Sequence, residues 1–214
     1  MITTHRTPEE KERRAEIVRT ALAIMNESGW DAVTTRSVAQ RLGVRQNTVN
    51  WHIKSKARLR ELMADAIVAT VDTGGLPDDW EGRARTLAAR YREALLSYRD
   101  GALVVAGTFA PEPATLAVAE SLMKALLDGG LSPRAASWTC WTIVYFTLGL
   151  VQEEQGAPGP VARTLSPALS SSAHPSLLSA LPYLADGEFT DRFEFGVGLI
   201  MDAATRLSQD GKTP

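Results

Sequence analysis

Apolar residues recur at helical spacing along most of the chain. Near the amino terminus, Thr7, Pro8 and Glu10 form a capping box with proline in the first turn, and an apolar face follows until Gly29. This face has the i, i+3, i+4, i+7 spacing of an amphipathic helix. It consists of Val18, Ala21, Leu22 and Met25. The pattern predicts a first helix that begins at Pro8 and ends at Gly29.

Two short helices around a tight turn are predicted next, between residues 34 and 53. Ala39, Gly43 and Val49 have the spacing of a helix-turn-helix. They supply a small residue where the helices meet, a turn residue that tolerates left-handed backbone, and an apolar anchor on the second helix. The residues predicted to pack inward are Val38, Leu42, Val49 and Ile53.

The remainder of the chain has the same helical pattern. A fourth helix is predicted after Ser55, with Leu59, Leu62, Met63, Ala66 and Thr70 along one stripe, and it is expected to stop at Gly74. Proline and serine between residues 156 and 175 predict a long flexible loop. Because the alternation typical of strands is absent, we predict an all-α fold. The later helical segments are expected at 80–98, 101–109, 114–127, 133–155, 176–185 and 188–207.

Charge is divided unevenly along the chain. Residues 1–70 hold 12 Lys and Arg against 8 Asp and Glu, a net charge of +4, whereas the remaining residues have a net charge of −6. Between Ala32 and Arg60 there is no Asp or Glu. A helical hairpin with an unopposed positive face predicts a DNA-docking module on an acidic body that phosphate repels. The seven basic residues of this stretch are Arg36, Arg41, Arg45, Lys54, Lys56, Arg58 and Arg60.

Polar side chains on the second hairpin helix are candidates for reading bases. Amides suit adenine N6 and N7, and arginine suits guanine O6 and N7, with each good pair worth about 1–3 kcal/mol of discrimination. The candidates that face away from the predicted core are Arg45, Gln46, Asn47 and Asn50. The residues placed to hold backbone phosphates, which fix register without reading sequence, are Thr35, Thr48, Trp51, His52 and Lys56, and Arg36 completes the DNA-binding set. The alternative is an ordinary solvated helical pair with surplus positive charge.

Other classes of protein find little support in the sequence. Cys140 is the only cysteine, so an internal disulfide or a cysteine-rich zinc site is excluded, and its apolar neighbours predict a buried, inert thiol. The histidines His5, His52 and His174 are scattered, and no Gly-x-Ser-x-Gly or paired-histidine motif occurs, which argues against an enzyme. No secretory signal and no apolar run of membrane-spanning length is present. We therefore expect a soluble cytoplasmic protein without a catalytic site.

The hairpin and its flanks resemble the TetR (tetracycline repressor) family of transcriptional regulators, and the resemblance extends into the second part of the chain. It covers most of residues 9–207 and is weakest in the proline- and serine-rich loop. The stretches that carry it are Leu22, Gly29–Trp30, 34–44 and 48–56 in the first part, and 94–101, 126–132 and 146–155 in the second.

The resemblance implies a homodimer. Two helices, at about 133–155 and 188–207, would form a four-helix bundle with the partner, and two recognition helices would enter successive major grooves, about 34–36 Å apart, of a near-palindromic operator. A small molecule in the second domain would move the segment 101–109, the connecting helix would swing and DNA would be released. The implied organisation is a helix-turn-helix domain at 8–55, a connecting helix at 56–73, and a ligand-binding and dimerisation domain at 79–209.

The expected ligand site departs from that of the tetracycline subgroup. The position of the magnesium-ligating histidine is Val105 here, the positions of drug-holding polar residues are Leu87 and Leu122, and the carboxylate position is Glu153. Because an aliphatic side chain cannot ligate a hard cation, we expect no magnesium–tetracycline site, no metal and no cofactor. The expected pocket is more apolar, although core packing is the alternative role for each aromatic residue. It would be lined by Leu87, Tyr91, Val105, Thr108, Phe109, Leu122, Trp141, Val144 and Tyr145, with Glu153 reaching in from the partner.

The recognition helix departs from the family as well. Asn50 precedes Trp51 where the family commonly has an aromatic residue, so the operator should differ from the tetracycline operator. The first functional hypothesis is a ligand-responsive repressor. A DNA-binding activator or architectural protein without a small-molecule effector remains the alternative.

Overall fold

A computed structural model describes residues 7–108, 110–156, 166–186 and 188–210. Over these ranges the chain forms α-helices and no strand, which confirms the predicted all-α fold. The helices are α1 (Pro8–Ser28), α2 (Thr35–Leu42), α3 (Gln46–Ile53), α4 (Lys56–Val68), α5 (Trp80–Leu96), α6 (Gly101–Val105), α7 (Pro113–Asp128), α8 (Pro133–Gly156), α9 (Pro175–Asp186) and α10 (Phe189–Asp210).

The ends of α1 are set by the residues that the sequence indicates. The Glu10 N–H donates to the Thr7 hydroxyl at 3.3 Å, and the Thr7 N–H donates to the Glu10 carboxylate at 2.9 Å, which completes the capping box. At the other end, Gly29 has a φ of 83° and its N–H donates to the carbonyl of Met25. The predicted apolar face of α1 is buried.

The turn between α2 and α3 has the geometry that the helix-turn-helix spacing predicts. Gly43 is left-handed, with a φ of 65°, and the Val44 N–H donates to the carbonyl of Ala39 at 3.0 Å. Val49 and Ile53 are fully buried and Leu42 is half-buried. The inward face of the hairpin is therefore fixed, and its opposite face is left to solvent.

Several helices end earlier than their apolar patterns indicate. The prediction that α4 continues to residue 73 is wrong, because the Thr70 N–H and hydroxyl both turn back to the carbonyl of Ile67. Thr70 is exposed rather than part of the packed stripe. Helix α5 also ends earlier than predicted, at Leu96 rather than Tyr98, and α6 ends at Val105 rather than at residue 109. Phe109 and residues 157–165 of the predicted loop lie outside the described residues.

Two buried apolar clusters run through the molecule. The first joins α1 to α4 with Tyr91 and Leu95 of α5, Val104 of α6 and Val151 of α8, so the helix-turn-helix shares a core with the larger part of the chain. The second lies among α5, α7, α8 and α10 and contains Cys140. Burial raises the pKa of the Cys140 thiol to about 11, which keeps it protonated and unreactive near neutral pH.

Candidate DNA-binding surface and ligand domain

The recognition face of α3 presents the predicted polar side chains to solvent. The backbone cap of α3 is Arg45, and α3 buries only Val49 and Ile53 among its residues. The exposed predicted residues are Arg36, Arg45, Gln46, Asn47, Thr48, Asn50, Trp51 and Lys56, whereas Thr35 and His52 are half-buried. Donors and acceptors suited to base edges are therefore grouped on the outer side of a short helix.

A hydrogen bond and two cation–π contacts hold the side chains at the edges of this face. The Gln46 amide donates to the Thr35 hydroxyl at 3.1 Å, which links α3 to the start of α2. The Lys54 ammonium lies 5.9 Å from the centre of the Trp51 ring. At the amino end of α4, the Lys56 ammonium lies 4.7 Å from the centre of the Trp30 ring. The Lys56 ammonium is thus held against the Trp30 ring.

The prediction that all seven basic residues are unopposed is wrong for two of them, Arg41 and Arg58. Arg41 donates to both carboxylate oxygens of Glu27, at 2.7 and 2.5 Å, and these hydrogen bonds hold the pKa of the Glu27 carboxyl below its usual value. Arg58 pairs with Glu61 and Glu112, and Arg60 donates to backbone carbonyls. Arg41 is exposed but paired with Glu27, and the other exposed cations of the hairpin surface are Arg36, Arg45, Lys54 and Lys56.

The structure divides the predicted ligand residues into separate groups. Leu87 and Leu122 belong to the second buried cluster. A second group packs in the first cluster and consists of Tyr91, Val105 and the half-buried Val144. The Thr108 hydroxyl donates to the carbonyl of Val105. Two rings of α8, which stack 5.2 Å apart, lie at the surface with the exposed Glu153. These rings are Trp141, 45% exposed, and Tyr145, 59% exposed.

A cleft lies elsewhere, between the carboxyl ends of α1 and α4 and the carboxyl half of α5. Its volume is about 630 Å³, and Asn26 of α1, Asp72 after α4, and Arg90, Glu93 and Tyr98 are among the residues that line it. None of the predicted ligand residues contributes to its lining. Two of the polar groups that line it have internal partners, since the Asn26 amide oxygen accepts from the Arg99 N–H and the Arg90 guanidinium donates to the Asp72 carbonyl.

Sequence reasoning missed the turn between α5 and α6 as a structural junction. The Gln155 amide donates to the carbonyls of Leu95 and Tyr98, at 3.1 and 2.8 Å, and its oxygen accepts from the Ala102 N–H at 3.2 Å. In the same turn, the Asp100 carboxylate accepts from the Trp30 N–H at 2.7 Å. The sequence signal for this junction is that Gln155 and Asp100 lie in stretches that carry the family resemblance.

The described ranges were also compared with the requirements of a metal site and of a membrane span. No group of three or more His, Cys, Asp or Glu residues there is arranged to hold a metal ion. No helix among them is long and apolar enough to cross a membrane.

A short helix with an exposed polar and basic face, packed on a larger helical body, is typical of a helix-turn-helix DNA-binding regulator. Comparisons with known proteins agree. The family described as "Bacterial regulatory proteins, tetR family" matches residues 17–63, and "Tetracyclin repressor-like, C-terminal domain" matches residues 73–204. The chain therefore belongs to the TetR family of transcriptional regulators, DNA-binding proteins that include ligand-responsive repressors.

Three similar proteins illustrate the relationship. The class C tetracycline repressor of Escherichia coli is 34% identical over 203 residues, which cover 92% of each chain. The structure of a possible TetR family transcriptional regulator from Streptomyces coelicolor A3(2) has a TM-score of 0.82 and 36% identity, over 91% of this chain and 99% of that one. A TetR variant from Acinetobacter baumannii AYE in complex with minocycline has a TM-score of 0.68 and 31% identity, over 90% and 96% of the two chains.

Proposed function

We propose that the protein is a repressor that binds a near-palindromic operator as a homodimer and leaves it when a small, largely apolar effector other than magnesium–tetracycline binds. The observation that carries this proposal is the exposed polar face of α3 on a hairpin whose apolar face is buried. DNA as the partner favours a cytoplasmic location. The division into a reader at 8–55, a connecting segment at 56–73 and an effector and dimerisation domain at 79–209 is part of the same proposal.

Exposed apolar side chains on α8 and α10 support the homodimer. On each of the two helices they recur every three or four residues and so form one stripe along that helix. The two helices pack together where Gly196 meets the ring of Phe146. The exposed side chains are Trp138, Trp141 and Tyr145 of α8, and Phe195 and Leu199 of α10. A second copy would bury this surface in a four-helix bundle and would cover the rings that we assign to the ligand site.

The effector proposal follows from the chemistry of three buried positions. Leu87, Val105 and Leu122 are all at most 8% exposed and carry no ligand atoms for a cation. The TetR variant from Acinetobacter baumannii AYE was solved in complex with minocycline, but this chain has an aliphatic residue, Val105, at the position that the resemblance assigns to the metal ligand. An apolar effector loses little by entering such surroundings, whereas hydrated magnesium would lose its oxygen ligands.

The experiment that tests the function combines operator selection with ligand screening. A duplex pool of random sequence is used to select the operator, and hydrophobic small molecules are then screened for a rise in melting temperature and for release of that operator. Molecules that do both support a ligand-responsive repressor. Firm operator binding with no response across the screen would favour the activator or architectural alternative.

The DNA contacts can be tested with two substitutions that should act differently. Lys56→Ala should weaken binding to every duplex and lower the salt slope by about one, because it removes a phosphate contact. Asn50→Ala should instead relax preference at one or two base positions, by about 1–3 kcal/mol, because it removes a base reader. Fluorescence anisotropy against a panel of operator variants at several salt concentrations measures both effects.

A lysine distant from the hairpin provides the control for this pair. Lys124→Ala on α7 removes one exposed positive charge that pairs with Asp128 and should leave both quantities unchanged. If Lys56→Ala and Asn50→Ala both bound the operator panel like the parent, the assignment of contacts would be incorrect.

Tetracycline provides a sharp test of the Val105 argument. We expect no magnesium-dependent rise in melting temperature and no operator release with tetracycline at concentrations that saturate the class C repressor of Escherichia coli, measured in parallel as the positive control. A clear magnesium-dependent response in this protein would refute an aliphatic, metal-free ligand site.

A further inference from the structure

Helix α4 holds the carboxyl end of α6 through a single arginine. The Arg60 guanidinium donates from Nε to the carbonyl of Val104 at 3.0 Å, and from Nη2 to the carbonyls of Leu103 and Ala106, each at 2.6 Å. These carbonyls lie in the last turn of a five-residue helix, where no following amide is available within the helix. Arg60 therefore supplies the partners that α6 cannot supply for itself.

Helix α4 also holds the amino end of α7. One oxygen of the Asp65 carboxylate accepts from the N–H of Thr115 at 2.8 Å and from its hydroxyl at 2.9 Å, and Thr115 lies in the first turn of α7. Arg58 pairs at 2.5 Å with Glu112, the residue that precedes α7, and Glu112 is also 3.7 Å from Arg14 of α1. Both sides of the connection between α6 and α7 are thus attached to α4.

The signs of these charges match the helix ends that they contact. A helix carries partial negative charge at its carboxyl end and partial positive charge at its amino end. Arg60 is at the carboxyl end of α6, and Asp65 is at the amino end of α7. Because hydrogen bonds to charged groups are short and directional, α6 and α4 keep their contacts only while their relative position is preserved.

Arg60 is also close to the DNA-facing surface. It lies one helical turn from Lys56, which is about 6 Å along the axis of α4. The ring of Trp30 is approached by both side chains, with its centre 4.7 Å from the Lys56 ammonium and 5.9 Å from the Arg60 guanidinium carbon. The Trp30 N–H in turn donates to Asp100, which precedes α6. Trp30 therefore contacts Lys56 and Arg60 through its ring, and the start of α6 through its backbone N–H.

We propose that Arg60 is the residue through which α6 and the DNA-binding surface are coupled, so that fixing α4 on an operator also fixes α6. This inference rests on the proposed function, because it requires operator binding. The connection consists of hydrogen bonds from the Arg60 side chain of α4 to backbone carbonyls at the carboxyl end of α6. Without Arg60, the buried apolar contacts between α4 and α6 remain, but the carboxyl end of α6 is no longer fixed together with α4.

Hydrogen exchange measured with the operator as the only added molecule tests this coupling. In the parent protein, the operator selected from the random duplex pool should slow exchange in α3 at the interface, and also in the segment 101–108, by about fivefold or more. In Arg60→Met the slowing in α3 should persist and the slowing in 101–108 should be lost. Arg60→Lys keeps the charge but cannot hold three carbonyls at once, so the slowing of exchange in 101–108 should be reduced. If Arg60→Met does not fold, Arg60→Lys tests the coupling in its place.

Arg90 provides the matched control, because its guanidinium also donates to two backbone carbonyls, those of Asp72 and Gly74, outside the connection between α6 and α7. Arg90→Met should retain the parent's slowing in 101–108. The proposal is overturned if 101–108 responds equally in the Arg60 variants, or if the parent shows slowing in α3 alone. Absence of slowing in α3 with every duplex would instead refute the proposed function itself.

Discussion

Leu199→Glu will convert the protein to a monomer and lower its operator affinity by about 10²- to 10⁴-fold. Leu199 lies on the outer stripe of α10, 56% exposed in one protomer, in the surface that we propose a second copy covers. Two-fold symmetry would bring two new carboxylates into the bundle, where burial of an unpaired charge is strongly unfavourable. A monomer retains one recognition helix and loses the gain that simultaneous contact with two half-sites provides.

The measurement needs both the assembly state and the affinity. Light scattering coupled to size-exclusion chromatography gives the mass of the parent and the variant, and anisotropy with the selected operator gives the affinity. Leu127→Glu is the control, since Leu127 is 41% exposed but lies on α7, away from the two proposed bundle helices. A dimeric Leu199→Glu protein with the operator affinity of the parent would show that this surface has another purpose.

Gly101→Ala will lower the free energy of unfolding by about 1–3 kcal/mol. A Cβ added at Gly101 would lie 2.1 Å from the backbone carbonyl oxygen of Leu95, which has no flexible side-chain end to move. The backbone of the turn between α5 and α6 would have to shift. The Leu95 carbonyl also accepts from Gln155, and Asp100 next to Gly101 accepts from Trp30, so the shift would disturb both junctions.

Denaturant unfolding of the parent and the variant at one fixed protein concentration checks this prediction, because dimer stability depends on concentration. Gly198→Ala on α10 is the matched control, since the only atom within 4 Å of its added Cβ is Nη1 of Arg85, at 4.0 Å. That variant should gain up to about 1 kcal/mol, because alanine is a better helix residue than glycine. Equal stability of the Gly101→Ala variant and the parent would contradict the predicted clash.

Local features of the fold could be predicted from the sequence because nearby residues determine them. The capping box at Thr7 and Glu10 involves residues three apart, and the left-handed turn at Gly43 is set by one glycine between two short apolar patterns. The inward positions Val49 and Ile53 follow from helical spacing alone. These elements fix the outward side of α3, which is why the exposure of Arg45, Gln46, Asn47 and Asn50 follows from the sequence, whereas their contacts with DNA stay a prediction.

Tertiary contacts account for what the sequence could not predict. Arg60 contributes to a basic run in the sequence, but its acceptors lie more than 40 residues away and are backbone carbonyls, which carry no sequence signal. The end of α4 was predicted too late because Thr70 turns back to Ile67, although the apolar pattern continues. Spacing placed Trp141 and Tyr145 on one face of α8, but it could not indicate that one protomer leaves that face uncovered.

The unequal distribution of charge has a kinetic consequence. With +4 on residues 1–70 and −6 on the remainder, the chain has an uneven charge distribution and hence an electric dipole moment, although its net charge is only −2. The field of a duplex exerts a torque on such a molecule and turns its reading end forward before contact. Productive collisions with the chromosome should therefore be enriched over wrongly oriented ones, and dissolved ions should diminish that advantage.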